Sequence, residues 1–266
     1  MIRDITLGQY YPADSVLHRL DPRVKLLGTL LFVISLFMFD SFIGYIVATV
    51  FLGVLIAISK VPFTYMIKGL KAIVILLVIT AALNMFMTPG DILWQWKALH
   101  ITSQGLRTAA FMIIRLIYLI VGSSLMTLTT TPSNLTDGLE KGLRFLKAVK
   151  VPVHEVAMMM SIALSFIPIL LEELDKIMKA QQARGADFES GGIIKRIKSM
   201  IPILIPLFVS AFRRSNDLAM AMETRCYRGG DGRTKMKPLI YKGRDYIAYV
   251  ILLVYMAAVV AVGIIF

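Results

Sequence analysis

The chain has 266 residues, of which 57% are hydrophobic, and its mean hydropathy is +0.73. Because the apolar residues come in long blocks, this composition excludes an ordinary soluble domain and a β-barrel, and it predicts an all-α, polytopic helical membrane protein. The net charge is +12 and Cys226 is the single cysteine, which excludes an intrachain disulfide and a multi-cysteine metal site.

A charged lead-in, residues 1–25, comes first and is predicted to be cytoplasmic. Four spans follow in a membrane domain, residues 26–128, and a C-terminal transmembrane helix occupies residues 246–266. The first span is short for a hydrocarbon core of about 30 Å, so we expect it to include residues 23–25. The individual spans are predicted at about 26–39, 42–59, 72–88, 109–128 and 246–265.

The basic residues are distributed asymmetrically between the two sides of this arrangement. With the N-terminus inside, the cytoplasmic connections hold 26 of the 29 lysines and arginines, and the outer loop, residues 89–108, holds only Lys97 and Arg107. Such asymmetry predicts a cytoplasmic N-terminus and an external C-terminus. It also connects the charge with membrane topology rather than with nucleic acid. Arg115 lies inside a predicted span, where we expect it to pair structurally.

Residues 129–245 are predicted to form a cytoplasmic or interfacial domain, a coupling arm of long helices. Two apolar stretches in this domain, 153–171 and 201–212, are interpreted as parts of these helices rather than as spans. If both crossed the membrane, residues 172–200 and their six basic side chains would lie outside, against the charge rule. The second stretch is also short for a span and contains Pro202 and Pro206.

Two helical stripes in this domain each end on an arginine. Their members recur at steps of three and four residues, so each stripe occupies one helix face. In the second helix, Ala211, Ser215 and Ala219 are spaced by four and predict a close helix crossing. The stripes are Leu170, Leu174, Ile177, Gln181 and Arg184 in the first helix, and Leu207, Ala211, Ser215, Leu218, Met222 and Arg225 in the second.

The two arginines have two interpretations. Locally, an arginine at a helix C-terminus offsets the negative end of the helix dipole and can bond the last free carbonyls. Alternatively, the rigid guanidinium fork of Arg184 and Arg225 could bind a carboxylate on a partner protein. The repetition of Ala-x-x-x-Arg in both helices, from Ala180 and from Ala221, raises the weight of the second interpretation.

Motifs for catalysis, cofactors and metals give little signal. The pair His154-Glu155 has no second histidine four residues after the first, so it does not form a zinc-protease motif. The sequence contains no phosphate-binding loop ending in Gly-Lys-Ser/Thr, so we expect no ATP hydrolysis by the chain alone. We therefore predict no enzyme activity, no cofactor and no metal site.

Over essentially its whole length, the chain resembles the T component, EcfT, of energy-coupling factor importers of vitamins and metals. The most specific match is Ala180-Gln181-Gln182-Ala183-Arg184-Gly185, the first Ala-Arg-Gly signature of the family. The second signature, Ala221 to Tyr227, keeps Arg225 but has Thr224 and Cys226 where the family has alanine and glycine. Other matching segments are Leu17 to Leu26, Thr131-Pro132 with Gly138-Leu139-Glu140, and Pro152 through Pro168.

The resemblance implies a multi-pass protein of the prokaryotic cell membrane that works in a complex. Its partners would be two cytosolic ABC-type ATPases and one or more small substrate-binding membrane subunits, called S components. The ATPase-docking residues implied by the signatures are Ala183, Arg184, Gly185, Glu223 and Arg225. ATP-driven closure would move the helices, and these would reorient the S component for uptake of a vitamin or related micronutrient.

Two alternatives for transport stay open. The chain could be the T component of a dedicated cobalt or nickel importer, or it could be a self-sufficient secondary carrier. A carrier predicts inverted repeats and broken polar spans, and a membrane-embedded enzyme predicts clustered acids, histidines or cysteines within spans. The sequence shows neither pattern.

Overall fold

The structure is a computed structural model that describes residues 10–39, 41–71, 73–89, 91–96, 99–186, 188, 192–229, 236 and 238–265. These residues form α-helices, one short 3₁₀ helix and one β-hairpin, so the predicted helical membrane fold is confirmed. The chain divides into two compact units, Met1–Gly142 with Leu239–Phe266, and Leu143–Pro238. The helices are α1 Pro22–Ser35, α2 Phe42–Ser59, α3 Phe63–Lys71, α4 Val74–Met87, α5 Ser103–Thr129, α6 Pro132–Gly142, α7 Val153–Ala183, α8 Ile193–Thr224 and α9 Gly243–Ile265; the 3₁₀ helix is Arg144–Val149, and the strands are β1 Ile92–Trp96 and β2 Leu99–Thr102.

The first unit, here called the membrane unit, is organised around α1, α2, α5 and α9. The aromatic rings of Phe51 and Tyr255 stack with centroids 4.0 Å apart, and the hydroxyl groups of Ser35 and Tyr255 share a buried hydrogen bond of 2.7 Å. The guanidinium of Arg115 donates from Nη2 to the Phe39 carbonyl oxygen at 3.2 Å, which confirms its expected structural pairing. Burial of apolar side chains between these helices is therefore combined with hydrogen bonds between buried polar groups. The buried core includes Phe32, Leu36, Phe39, Tyr45, Ala48, Leu52, Val121, Leu125, Leu128, Tyr255 and Val259.

Residues 89–108, the predicted outer loop, contain a β-hairpin that the sequence did not indicate. Strands β1 and β2 pair antiparallel, with Trp94 opposite Ile101 and Trp96 opposite Leu99. Thr102 then caps α5 by accepting a hydrogen bond from the Gly105 amide at 3.0 Å. The hairpin is thus joined directly to the start of a long helix.

The lead-in is fixed to the end of α5 and to the start of α1. The Tyr11 amide donates to the Leu128 carbonyl at 2.9 Å. The buried ammonium of Lys25 donates to the Thr129 carbonyl at 2.8 Å and to the Thr130 hydroxyl at 3.2 Å. Because these contacts satisfy a buried cation, they hold the lead-in as a defined part of the unit.

The beginnings of α1 and α9 are joined by the Asp245 carboxylate. Asp21 caps α1, accepting from the Arg23 amide at 2.9 Å, and Pro22 occupies the first helical position, where no amide is needed. Asp245 is 1% exposed and accepts from the Asp21 amide at 2.9 Å and from the Lys242 amide at 2.7 Å. Arg23 in turn lies over the ring of Tyr241, 3.9 Å from its centroid.

The second unit, here called the arm unit, contains α7 and α8. Arg214 of α8 forms an ion pair with Glu173 of α7 at 3.3 Å, and Gln181 Nε2 donates to the Pro202 carbonyl at 3.2 Å. Gln181, near the end of α7, contacts Pro202 in the first half of α8, whereas Glu173, earlier in α7, contacts Arg214, later in α8. The two helices therefore run in opposite directions.

The contact face of α8 differs from the predicted one. Ser215 and Ala219 are exposed, whereas Arg214 is partly buried and pairs with α7. The close crossing through a run of small residues is therefore wrong for these two positions. An ion pair occupies the contact instead, since a half-exposed arginine can bury its stem and keep its head hydrogen-bonded.

The lengths of the helices bear on the predicted spans. Four of the described helices, α2, α5, α7 and α9, are long and apolar enough to cross a membrane. The first and third predicted spans correspond to α1 and α4, which have 14 residues each. Helix α1 begins at Pro22, so it does include residues 23–25. The assignment of 153–171 and 201–212 outside the bilayer stays a prediction, as do the domain boundaries.

Candidate functional site

The C-terminus of α7 has the geometry of a Schellman cap. Arg184 is the C-cap residue, and Gly185 follows it with a φ of +86°. The Gly185 amide donates to the Gln182 carbonyl at 2.9 Å, and the Ala186 amide donates to the Gln181 carbonyl at 3.0 Å. This pattern closes the last turn and places Arg184 at the point where the helix stops.

The C-terminus of α8 repeats this geometry. Arg225 is the C-cap residue, and Cys226 follows it with a φ of +56°. The Cys226 amide donates to the Glu223 carbonyl at 2.8 Å, and the Tyr227 amide donates to the Met222 carbonyl at 3.0 Å. The departure from glycine in the second signature therefore leaves the backbone turn in place.

The candidate docking residues are all exposed at these two ends: Ala183, Arg184 and Gly185 after α7, and Glu223 and Arg225 at the end of α8. In the part of the chain that the structure describes, neither arginine side chain forms an ion pair or donates to a helix carbonyl. The local interpretation, in which the guanidinium bonds the free carbonyls of its own helix, is therefore not what these side chains do. Both remain available for a ligand.

The two ends are far apart along the arm unit. Because α7 and α8 run in opposite directions, the end of α7 lies beside the first half of α8, where Gln181 meets Pro202. Arg225 is 23 residues further along α8 than Pro202. At 1.5 Å per helical residue this corresponds to roughly 35 Å. The structure thus brings together the residues within each signature and separates the two signatures.

Sequence reasoning found both arginines but missed how they are held. The Glu173–Arg214 pair and the Gln181–Pro202 bond join the helices between the two ends, and neither residue pair has a recognisable sequence motif. The only signal was the helical register of Gln181 and Leu174 on one stripe. Among the described residues, no group of three or more His, Cys, Asp or Glu side chains could hold a metal ion.

Comparisons with known proteins agree on a single family. A family model described as "Cobalt transport protein", CbiQ, matches residues 13–236. Three relatives carry the name "Energy-coupling factor transporter transmembrane protein EcfT". The protein of Clostridium kluyveri is 59% identical over 93% of each chain. That of Ruminiclostridium cellulolyticum is 50% identical over 100% of each, and that of Bacillus subtilis is 46% identical over 96% of each.

Proposed function

The chain belongs to the EcfT family of energy-coupling factor transporter transmembrane proteins, and on that premise we propose that it couples two cytosolic ATPases to an S component. The complex would lie in the cell membrane and import a vitamin or related micronutrient. The chain itself would carry out no catalysis, since the ATPase sites would lie in the partner subunits. The arm unit would transmit motion between these subunits and the membrane.

The observation that carries this proposal is that α7 and α8 both end at an exposed C-cap arginine. Two helices stop in the same Schellman turn, each with an exposed arginine at the C-cap that is unpaired within the described residues. A distance of roughly 35 Å along the helices gives room for two separate protein subunits. We therefore assign Arg184 to one ATPase and Arg225 to the other, with an acidic groove as the complementary surface.

The neighbouring docking residues have distinct roles in this arrangement. Ala183 and Gly185 keep the surroundings of Arg184 small, so that a partner surface can approach the end of α7 closely. Glu223 precedes Arg225 by two residues and offers a carboxylate to a basic side chain of the partner. Its side chain is exposed and forms no ion pair among the described residues, so it is available for that contact.

The docking assignment is tested by alanine and lysine substitutions at the two arginines. An arginine in the centre of a protein interface typically contributes about 2 kcal/mol, which is about a thirtyfold change in affinity. Arg184→Ala and Arg225→Ala are each expected to weaken binding of purified ATPase by about that factor. The lysine variants keep the charge but lose the fork, so they should fall between wild type and alanine.

Arg213→Ala provides the matched control, because Arg213 is an exposed arginine in the middle of α8. It should retain wild-type ATPase binding. A double variant, Arg184→Ala with Arg225→Ala, should lose co-purification of both subunits and all coupled uptake. Normal assembly and uptake in that variant would remove the basis for the docking assignment.

The substrate is the second question, because the family model is described by cobalt transport whereas the relatives are named only as energy-coupling factor components. A shared vitamin module predicts co-purification with several different S components. A dedicated importer predicts one partner and uptake of radioactive cobalt or nickel. Uptake by proteoliposomes that contain this chain alone would instead favour the secondary carrier.

A further inference from the structure

A cavity of about 270 Å³ lies within the membrane unit, between α1, α2, α5 and α9. This volume is near the lower end of ligand pockets in proteins, roughly 300 Å³. Each helix contributes one end to it: Val24 to Phe32 in α1, the second halves of α2 and α5, and the first half of α9. In the predicted topology all four of these ends face the cytoplasm, so the cavity lies in the cytoplasmic half of the unit.

The walls of the cavity are apolar and open on one side. Phe32, Phe51 and Leu125 line the inside, and the Phe32 ring packs directly against Gly122. At the rim, Val16, Ile58 and Ile247 line the cavity and are 59%, 42% and 62% exposed. An apolar rim of this kind gives a hydrocarbon chain a path from the surrounding bilayer into the cavity.

Two cations, Lys25 and Arg244, lie at the cytoplasmic end of this apolar space. The Lys25 ammonium already donates to protein oxygens, including the Thr129 carbonyl at 2.8 Å. Arg244 is different, because its Nε is buried and has no hydrogen-bond partner among the described residues. A buried donor left in this state is costly, and a hydrogen-bond acceptor from a ligand would remove that cost.

The nearby carboxylates do not supply that acceptor. None of the described residues that line the cavity is acidic. Asp21 binds the Arg23 side chain, and Asp245 accepts from the backbone amides of Asp21 and Lys242. The cavity therefore combines an apolar body with an excess of positive charge at its cytoplasmic end.

We propose that this cavity binds one acyl chain of an anionic phospholipid, with the lipid phosphate at Arg244. Basic pockets between transmembrane helices on the cytoplasmic side are suited to anionic lipid headgroups, and each basic side chain near such a surface contributes about 1 kcal/mol. The chain fills the apolar space, and the phosphate accepts from the guanidinium. This inference rests on the membrane unit alone and does not depend on the proposed docking of ATPases.

The test uses the full chain in phosphatidylcholine nanodiscs that contain a small fraction of photoreactive lipid. The probe is a phosphatidylglycerol that carries a diazirine in one acyl chain, and labelled peptides are mapped by mass spectrometry. We expect labelling of α9 residues around Ile247 and Ile251. A photoreactive phosphatidylcholine with the same chains should label them about fivefold less, the factor that corresponds to ~1 kcal/mol.

Two variants with matched controls separate the headgroup from the chain. Arg244→Gln should reduce phosphatidylglycerol labelling about fivefold, whereas Arg107→Gln, in the first half of α5, should leave it unchanged. Ala248→Phe fills the cavity and should abolish labelling by either lipid. Ala110→Phe, an exposed position of α5 outside the cavity, should retain it. If Ala248→Phe fails to fold, Arg244→Gln still decides the question.

Three results would overturn the proposal. Equal labelling by the two lipids, unchanged in Arg244→Gln, would show that the cavity does not recognise an anionic headgroup. Labelling confined to peptides outside the cavity would show that no acyl chain enters it. Loss of cavity labelling on assembly with an S component would show that protein, rather than lipid, occupies the space in the complex.

Discussion

Gly185 and Cys226 occupy equivalent positions in the two arm helices. Each directly follows a C-cap arginine, each has a positive φ, and each donates its amide to the carbonyl three residues earlier. Gly185 has no Cβ and takes this conformation without steric cost, whereas an L residue in the left-handed region typically loses about 1–2 kcal/mol. The C-terminal turn of α8 therefore includes a conformational strain energy that the turn of α7 does not have.

This difference predicts that Cys226→Gly stabilises the end of α8. Relief of the left-handed backbone outweighs the added flexibility of glycine in the unfolded chain, and we expect a net gain of about 0.5–1 kcal/mol. Hydrogen exchange of the Tyr227 amide, which donates to the Met222 carbonyl, should slow by the corresponding factor of about two to five.

Two further variants control for the loss of the thiol and for position. Cys226→Ser still places a non-glycine residue at a positive φ, so hydrogen exchange of its Tyr227 amide should be no slower than in wild type. Gly185→Ala should weaken the end of α7 by about 1 kcal/mol, since it introduces the strain that Cys226 already has. Faster exchange of the Tyr227 amide in Cys226→Gly would contradict this account of the turn.

Stiffness of the arm helices is tested by proline in their middle. Leu174→Pro and Leu218→Pro each remove a helical hydrogen bond and clash with the preceding turn, at a cost of about 3 kcal/mol. Both residues are partly buried and lie away from the arginine ends. We expect substrate uptake to fall more than ATP hydrolysis by the assembled complex, because transmission is damaged and the ATPase site is not.

Alanine at the same positions separates stiffness from side-chain loss. Leu174→Ala and Leu218→Ala keep the helical backbone and should lose less uptake than the proline variants do. If uptake and hydrolysis fall equally in a proline variant that still assembles, these helices are not the transmission element.

The lead-in has a pH dependence that centres on His18. Its Nε2 donates to the Tyr11 carbonyl at 3.0 Å, and its Nδ1 lies 2.7 Å from the Ser15 hydroxyl. Burial lowers the pKa of His18 below its ordinary value of 6.5, although the bond to Tyr11 opposes that shift. Neutral His18 therefore stabilises the fold fully above pH 6.5, and this stabilisation is lost as the pH falls through the lowered pKa.

We expect the thermal stability of the purified chain to fall as the pH is lowered from about 6.5 to about 5, with a component that depends on His18. His18→Gln cannot titrate in this range, but it keeps an amide that can donate to the Tyr11 carbonyl. Its melting temperature should change less with pH than that of wild type. Identical pH profiles for the two proteins would assign the acid sensitivity to other groups.

The native cysteine tests the predicted topology directly. Cys226 is exposed and is the single cysteine of the chain. If residues 129–245 are cytoplasmic, a membrane-impermeant maleimide should leave Cys226 unmodified in sealed cells and modify it after permeabilisation. The variant Cys226→Ser is the blank. Rapid modification from outside in sealed cells would contradict the placement of the arms.

The periodicity of the hydrophobic residues and the distribution of charge were sufficient to predict the principal helices and the arginines at the C-termini of α7 and α8. Long apolar blocks require helices because backbone groups cannot stay unbonded in a bilayer, and the steps of three and four residues in the two stripes place Arg184 and Arg225 at helix ends. The left-handed conformation of Cys226 was not predictable, because a cysteine there has no local preference for it. It follows instead from closing the last turn of α8.

The sequence also did not predict which helix faces pack against each other. Ala211, Ser215 and Ala219 have the spacing of a close crossing, yet Ser215 and Ala219 are exposed and Arg214 makes the contact. Spacing identifies a face but does not say whether a partner helix lies against it. The cavity between α1, α2, α5 and α9 was unpredictable for the same reason, since its residues come from four separate parts of the chain.

The hydrogen bond from the Asp21 amide to Asp245 joins residues that are 224 positions apart. During synthesis the first helix leaves the ribosome long before the carboxylate that its cap residue will bind, and the whole arm unit is made in between. The membrane unit can thus close only after the start of α9 has been made. Chains truncated before α9 would expose the start of α1 in an unfinished state, a form that quality-control proteases could recognise.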